Sequence, residues 1–141
     1  MKQGQTPNTR VGDPGYVERL KEVRVYAVLD IKAGEVVHAV AGQRDRYRPV
    51  QSELVDSSRP YDVARAFVER RDVCDAYVAD LDAIAGQSPD TESIEAIGRA
   101  GMRLVLDAGI QTAANAARLL EQLAPTVKLS GLVVPLESTR D

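Results

Sequence analysis

The chain has 141 residues, 18 Lys and Arg against 21 Asp and Glu, and a formal charge of −3. That length holds one domain rather than two. The charge supplies no overall positive field to draw the chain to nucleic acid or an anionic membrane. A single cysteine, Cys74, excludes an internal disulfide and a multi-cysteine zinc site. Aromatics make up 4%, with no Trp, so any core must be built from Val, Leu, Ile and Ala.

In chain order, residues 1–13 are expected to be a disordered tail, and they lack the apolar run of a secretory signal. Residues 14–141 are expected to form the domain. The first apolar run, 23–29, predicts a strand that delivers Asp30 at its end. Residues 35–41 predict an extra strand and 42–58 a polar loop. Residues 61–71 predict a helix with Val63, Ala64, Phe67 and Val68 on one stripe, and Pro60 suits its first turn.

The run 76–79 predicts a second main strand, ending at Asp80. Ser88 as N-cap and Pro89 as first helical residue predict a helix with Ile94, Ile97 and Ala100 inward, closed by Gly101. Residues 102–106 predict a third strand ending at Asp107. Thr112 caps a helix with Ala116, Leu119, Leu120 and Leu123 on its inner face, and Pro125 stops it. Residues 129–136 predict a fourth strand. The apolar runs are continuous, as in parallel strands buried on both faces.

The order alternates strand and helix, and Asp80, Asp107 and Leu136 lie 27 and 29 residues apart. That is the roughly 30-residue period of a β/α barrel of about 250 residues. The expected fold class is therefore α/β, the first four parallel strands of a (β/α)8 TIM barrel with three connecting helices. A flavodoxin-like doubly wound sheet shares the alternation and stays open. A sheet of four barrel strands leaves an edge bare, which implies either a partial chain or one that associates with itself or with a second half-barrel.

Reactive groups in both folds gather at the carboxyl ends of strands. Asp30, Asp80 with Asp82, Asp107 and Glu137-Ser138-Thr139 occupy those ends. Carboxylates there can move protons when their surroundings tune them; an Asp after a strand is also a common loop or cap residue. The turn Asp107-Ala108-Gly109-Ile110-Gln111-Thr112 leads into a helix N-terminus that can hold phosphate, or is a plain capped βα turn. Arg44, Arg46 and Arg48 form a basic patch that folds over an anionic substrate or is a solvated loop. His38, inside an apolar run, is expected to be structural, and Cys74 has no histidine placed to activate it.

Val28-Leu29-Asp30-Ile31-Lys32-Ala33-Gly34-Glu35-Val36-Val37 resembles the first strand and loop of the HisA/HisF family of histidine biosynthesis. Tyr77-Val78-Ala79-Asp80-Leu81-Asp82 is similar to that family's second strand, and Leu106 to Thr112 sits where it has a glycine-rich turn. The resemblance covers about residues 23–139. It implies a (β/α)8 barrel and substrates phosphorylated at both ends. The HisA branch is an isomerase that carries out an Amadori rearrangement, aminoaldose to aminoketose, with one Asp after strand one and another after strand five. The first maps onto Asp30; the second would lie beyond Asp141.

The chain departs from the family at Asp107, where a glycine is usual, and at Pro135-Leu136-Glu137. A carboxylate beside a phosphate repels it by roughly 1 to 4 kcal/mol at about 4 Å. These departures argue against the histidine-pathway substrate, and Ala79-Asp80-Leu81-Asp82-Ala83-Ile84 combined with Asp107-Ala108-Gly109-Ile110 looks more like a HisA-like side branch found with methanopterin-type one-carbon cofactors. The resemblance thus implies Asp30 as catalytic residue. Lys32, Arg44, Arg48, Asp80, Asp82 and Asp107 would bind substrate. Gly109, Gln111, Thr112, Ser138 and Thr139 would bind phosphate. No cofactor is expected and, with one cysteine and one histidine, no metal. The expected partner is a phosphorylated small molecule, with neither nucleic acid nor membrane, in a cytoplasmic setting. A non-catalytic half-barrel or phosphate binder is the competing expectation.

Overall fold

The computed structural model describes residues 23–40 and 43–136. Ser138 and Thr139, like the expected tail 1–13, lie outside the described residues. Six strands form one sheet in the order β3-β2-β1-β4-β5-β6. They are β1 Tyr26–Lys32, β2 Glu35–His38, β3 Arg48–Pro49, β4 Asp75–Asp80, β5 Arg103–Asp107 and β6 Lys128–Leu132. Four of them, β1, β4, β5 and β6, run parallel. β2 and β3 add an antiparallel extension at the β1 edge. The architecture is α/β with a parallel-rich sheet, compatible with part of a β/α barrel. The described sheet does not close.

Two-residue alternation decides which side chains meet the core. In β1, Ala27, Leu29 and Ile31 are buried, whereas Val28 is 65% exposed. β5 repeats the pattern with Leu104 and Leu106 inward. The helices supply the other half of this core through Val63, Ala64, Ile94, Ile97, Leu119 and Leu123. Each such aliphatic side chain contributes roughly 1.5–3 kcal/mol on full burial. The expectation of strands covered on both faces holds for the central strand β4, buried along nearly its whole length, whereas in β1 and β5 one face is packed and the other more exposed. Helices on one face only disfavour the flavodoxin-like alternative, which needs both faces covered.

The helices are α1 Pro60–Arg71, α2 Leu81–Ile84, α3 Thr91–Arg99 and α4 Ala113–Leu123. Pro60 opens α1, where its missing N–H costs nothing. Thr112 caps α4 as expected, its Oγ accepting from the Asn115 N–H at 3.1 Å. The cap of α3 is Asp90 rather than Ser88. Its carboxylate takes both the Ser93 N–H at 3.0 Å and the Ser93 hydroxyl at 2.6 Å. Pro89 thus precedes the helix. Leu120 is 41% exposed rather than inward, so α4 buries only Leu119 and Leu123.

Strand bounds also shift. β1 begins and ends three residues later than the apolar run, because Ile31 is fully buried and continues the alternation past Asp30. β6 stops at Leu132. The polar loop after β2 contains β3 and a short 3-10 turn, Arg44–Arg46. β3 is two residues long, with an arginine and a proline, which blunts that edge of the sheet.

Candidate functional site

Register places the candidate groups. Asp30 of β1 and Asp107 of β5 both pair with Ala79 of β4. Laterally matched residues of a parallel sheet point the same way, so both carboxylates stand on the open face. Strand spacing separates their Cα atoms by roughly 9.5 Å. Tyr77 lies two residues before Ala79, hence on the same face between them. Its hydroxyl donates to Asp107 Oδ2 at 3.2 Å. Asp107 Oδ1 accepts the Gly109 N–H at 3.3 Å.

The electrostatics follow from this placement. Burial pushes the Asp30 carboxyl above its ordinary value. The Tyr77 phenol is also raised, first by burial, then by the charge of Asp107 and the bond to it, and last by the charge of Asp30. The phenol therefore keeps its proton at neutral pH and stays a donor. The arrangement offers a carboxyl with raised proton affinity beside a protonated phenol bonded to a second carboxylate. Such a set can give and take protons at a ligand laid on the open face.

Asp80 is elsewhere. It pairs with Ile31, whose side chain is fully buried, so it points to the helix side. It is 1% exposed, with Oδ1 accepting from the Ala83 N–H at 3.0 Å and Oδ2 from the Asp90 N–H at 2.7 Å. Burial is the largest influence and raises its carboxyl; these two N–H bonds lower it, and the charges of Asp90 and Asp82 raise it again. With both oxygens engaged, Asp80 fastens β4, α2 and the start of α3 together, which corrects its expected place at the substrate. Asp82 Oδ2 accepts the Ala33 N–H at 2.8 Å. That bond steadies the two-residue turn Ala33-Gly34, where both residues have positive φ, 50° and 78°.

The basic residues are spread over the β1–β3 region. Lys32 Nζ sits 5.6 Å from the Tyr47 ring centroid. Arg48 is exposed and lies opposite His38 across the hairpin. Alternation puts that pair on the face of Val36 rather than of Val37, the partner of Asp30. His38 is an exposed strand end rather than a core histidine. Arg44 belongs to the 3-10 turn.

Gly109 and Gln111 border a cleft of about 310 Å³ between α2 and α4, with Gln87, Asn115 and Arg118. Asp30, Tyr77 and Asp107 do not line it. Gly109 has φ +63°, and a Cβ there would sit 2.6 Å from the Ala83 carbonyl oxygen. Its glycine is thus required by the seating of this turn against α2. Thr112 spends its hydroxyl on the α4 cap. Among the described residues no three His, Cys, Asp or Glu side chains are grouped to hold a metal.

Tyr77 is the site residue that the sequence reading missed. It sits in an apolar run and reads as core. The available signal was its even spacing from Ala79, which shares a rung with Asp107.

A parallel-rich α/β sheet with helices on one face and strand-end carboxylates on the other is the architecture of part of a β/α barrel-like protein. The chain belongs to the histidine biosynthesis protein family, the HisA/HisF family, whose model matches residues 24–135. It is also similar to an uncharacterized protein of Methanocaldococcus jannaschii, 32% identical over 90 residues. That stretch is 64% of this chain and 38% of the relative, so the chain spans well under half of the relative's length.

Proposed function

We propose that the chain carries part of the active site of a HisA-like sugar-phosphate isomerase, performing an Amadori-type aldose–ketose rearrangement. The observation that carries this reading is Asp30, at the family's strand-one position, on the open face and with burial raising its carboxyl. In this reading Asp30 shuttles the proton during ring opening and loss of the C2 proton. Tyr77, held by Asp107, donates to a substrate oxygen. A second carboxylate, from further β/α units or a second half-barrel, completes the pair. The family relationship to a HisA- or HisF-type enzyme supports this reading at the coarser level of an isomerase or cyclase relative.

A second reading, an enzyme of methanopterin-type one-carbon cofactor biosynthesis, is favoured by Asp107. A carboxylate at that turn disfavours a phosphate there. The experiment is C2 proton exchange into deuterated water with a phosphoribosyl aminoaldose, followed by NMR. Wild type exchanges the proton and Asp30→Asn loses at least about 10²-fold, the usual size of a general acid–base contribution. Equal exchange in the two proteins sinks the assignment.

A further inference from the structure

The β2–β3 hairpin gathers basic side chains that the Asp30 site does not use. His38 and Arg48 are directly opposed across the antiparallel ladder. Together with Arg46 and Val40 they line one cleft of about 470 Å³. Among the described residues no carboxylate lines that cleft.

Two of the nearby acids are engaged elsewhere. Glu35 of β2 accepts the Ser58 hydroxyl at 2.8 Å, and Asp62 accepts that of Ser57 at 2.6 Å. Asp56 lines an adjoining cleft that shares His38 and Arg48. Asp45 lies in the 3-10 turn beside Arg46 but not on the cleft wall. Among the described residues ion pairs join Arg65 to Glu69, Arg99 to Glu95 and Arg103 to Asp75, and none of these includes Arg46 or Arg48. Two guanidiniums lining one cleft, without a carboxylate on its wall, repel one another. An anion in the cleft turns that cost into attraction.

We propose that His38, Arg46 and Arg48 form an anion site that takes the phosphoryl group of a small metabolite. Two planar guanidinium forks supply several N–H donors, which suits an anion with three oxygens more than a single carboxylate. The net charge of −3 works against a long polyanion. The His38–Arg48 pair points to the face of the sheet opposite to Asp30, so this site goes beyond the isomerase reading and does not depend on it.

The test is amide-shift mapping by NMR with inorganic phosphate and with ribose 5-phosphate, up to about 20 mM, in the millimolar range of weak sites. Shifts at His38, Arg46 and Arg48 with either anion support the site. Tighter ribose 5-phosphate binding assigns it to organic phosphates, and equal binding to the phosphoryl group alone. Arg46→Gln/Arg48→Gln, at exposed positions, weakens binding about tenfold or more. Asp30→Asn leaves it unchanged, so failure here and failure of the isomerase reading are separate results. The proposal is overturned by silent hairpin amides in the wild type, by undiminished binding in the double variant, or by an oligonucleotide binding far more tightly than ribose 5-phosphate. If the double variant unfolds, the wild-type map decides.

Discussion

Gly109→Ala tests how the turn after β5 is held. Two costs arise there. Alanine at φ +63° is in the left-handed region, worth roughly 1–2 kcal/mol for a non-glycine residue. The added Cβ also meets backbone, with Ala83 O at 2.6 Å and Ile84 Cα at 2.9 Å. Backbone atoms of α2 cannot rotate aside, so relief requires the turn and α2 to separate, an overpacking cost of about 1–3 kcal/mol. The expected loss is about 2–5 kcal/mol in urea unfolding followed by far-UV circular dichroism, with an unchanged denaturant slope. Gly34→Ala is the control, since φ is +78° there but nothing lies within 4 Å of the added Cβ. It loses the conformational share only. Equal losses in the two variants would refute the contact argument, because strain alone would then account for both.

Two further predictions concern protons. Asp80's folded carboxyl is raised above 3.8 by burial, so the native state binds this proton more tightly than the unfolded chain. Its contribution is full below the unfolded value and is lost as pH rises through the folded one. Asp80→Asn therefore flattens the stability profile upward from about pH 4, and an unchanged slope in urea midpoints there rejects the assignment. Asp107→Asn removes the charge and changes the bond that, after burial, raise the Tyr77 phenol. Tyrosinate absorbance should then develop at lower pH than in wild type, with Tyr77→Phe identifying the component; superimposable curves would contradict the pairing.

Much of the scaffold was readable because burial repeats at the periods of strand and helix. The runs around Val78 and Leu104 fall on β4 and β5, and Thr112 caps where a short hydroxyl side chain should. What escaped had no period to read. α2 is four residues long, too short for a helical stripe. The hairpin's second strand is two exposed residues, Arg48 and Pro49, which look like loop. Asp90 competed with Ser88 as the cap of α3, and Asp80 decided it: its bond to the Asp90 N–H fixes Asp90 where its own carboxylate can reach Ser93.

The carboxylates show most clearly what residue type alone leaves open. Asp30, Asp80 and Asp107 all sit at or near strand ends, and that likeness suggests one convergent cluster. Parity divides them. Ala79 shares its rung with Asp30 and Asp107, so the next residue, Asp80, must face the other way. The one-residue step changes its work from meeting solvent to accepting two backbone N–H groups. Asp82 likewise reaches back to the Ala33 N–H from the first turn of α2. Asp80 and Asp82 thus bind the loops at this end of the sheet from behind, while Asp30 and Asp107 remain on the open face with Tyr77 between them. If these two roles are separable, changes at Asp80 should register in stability and changes at Asp30 in chemistry. The same acidic residue type serves both because the pleat, rather than the composition, assigns each its face.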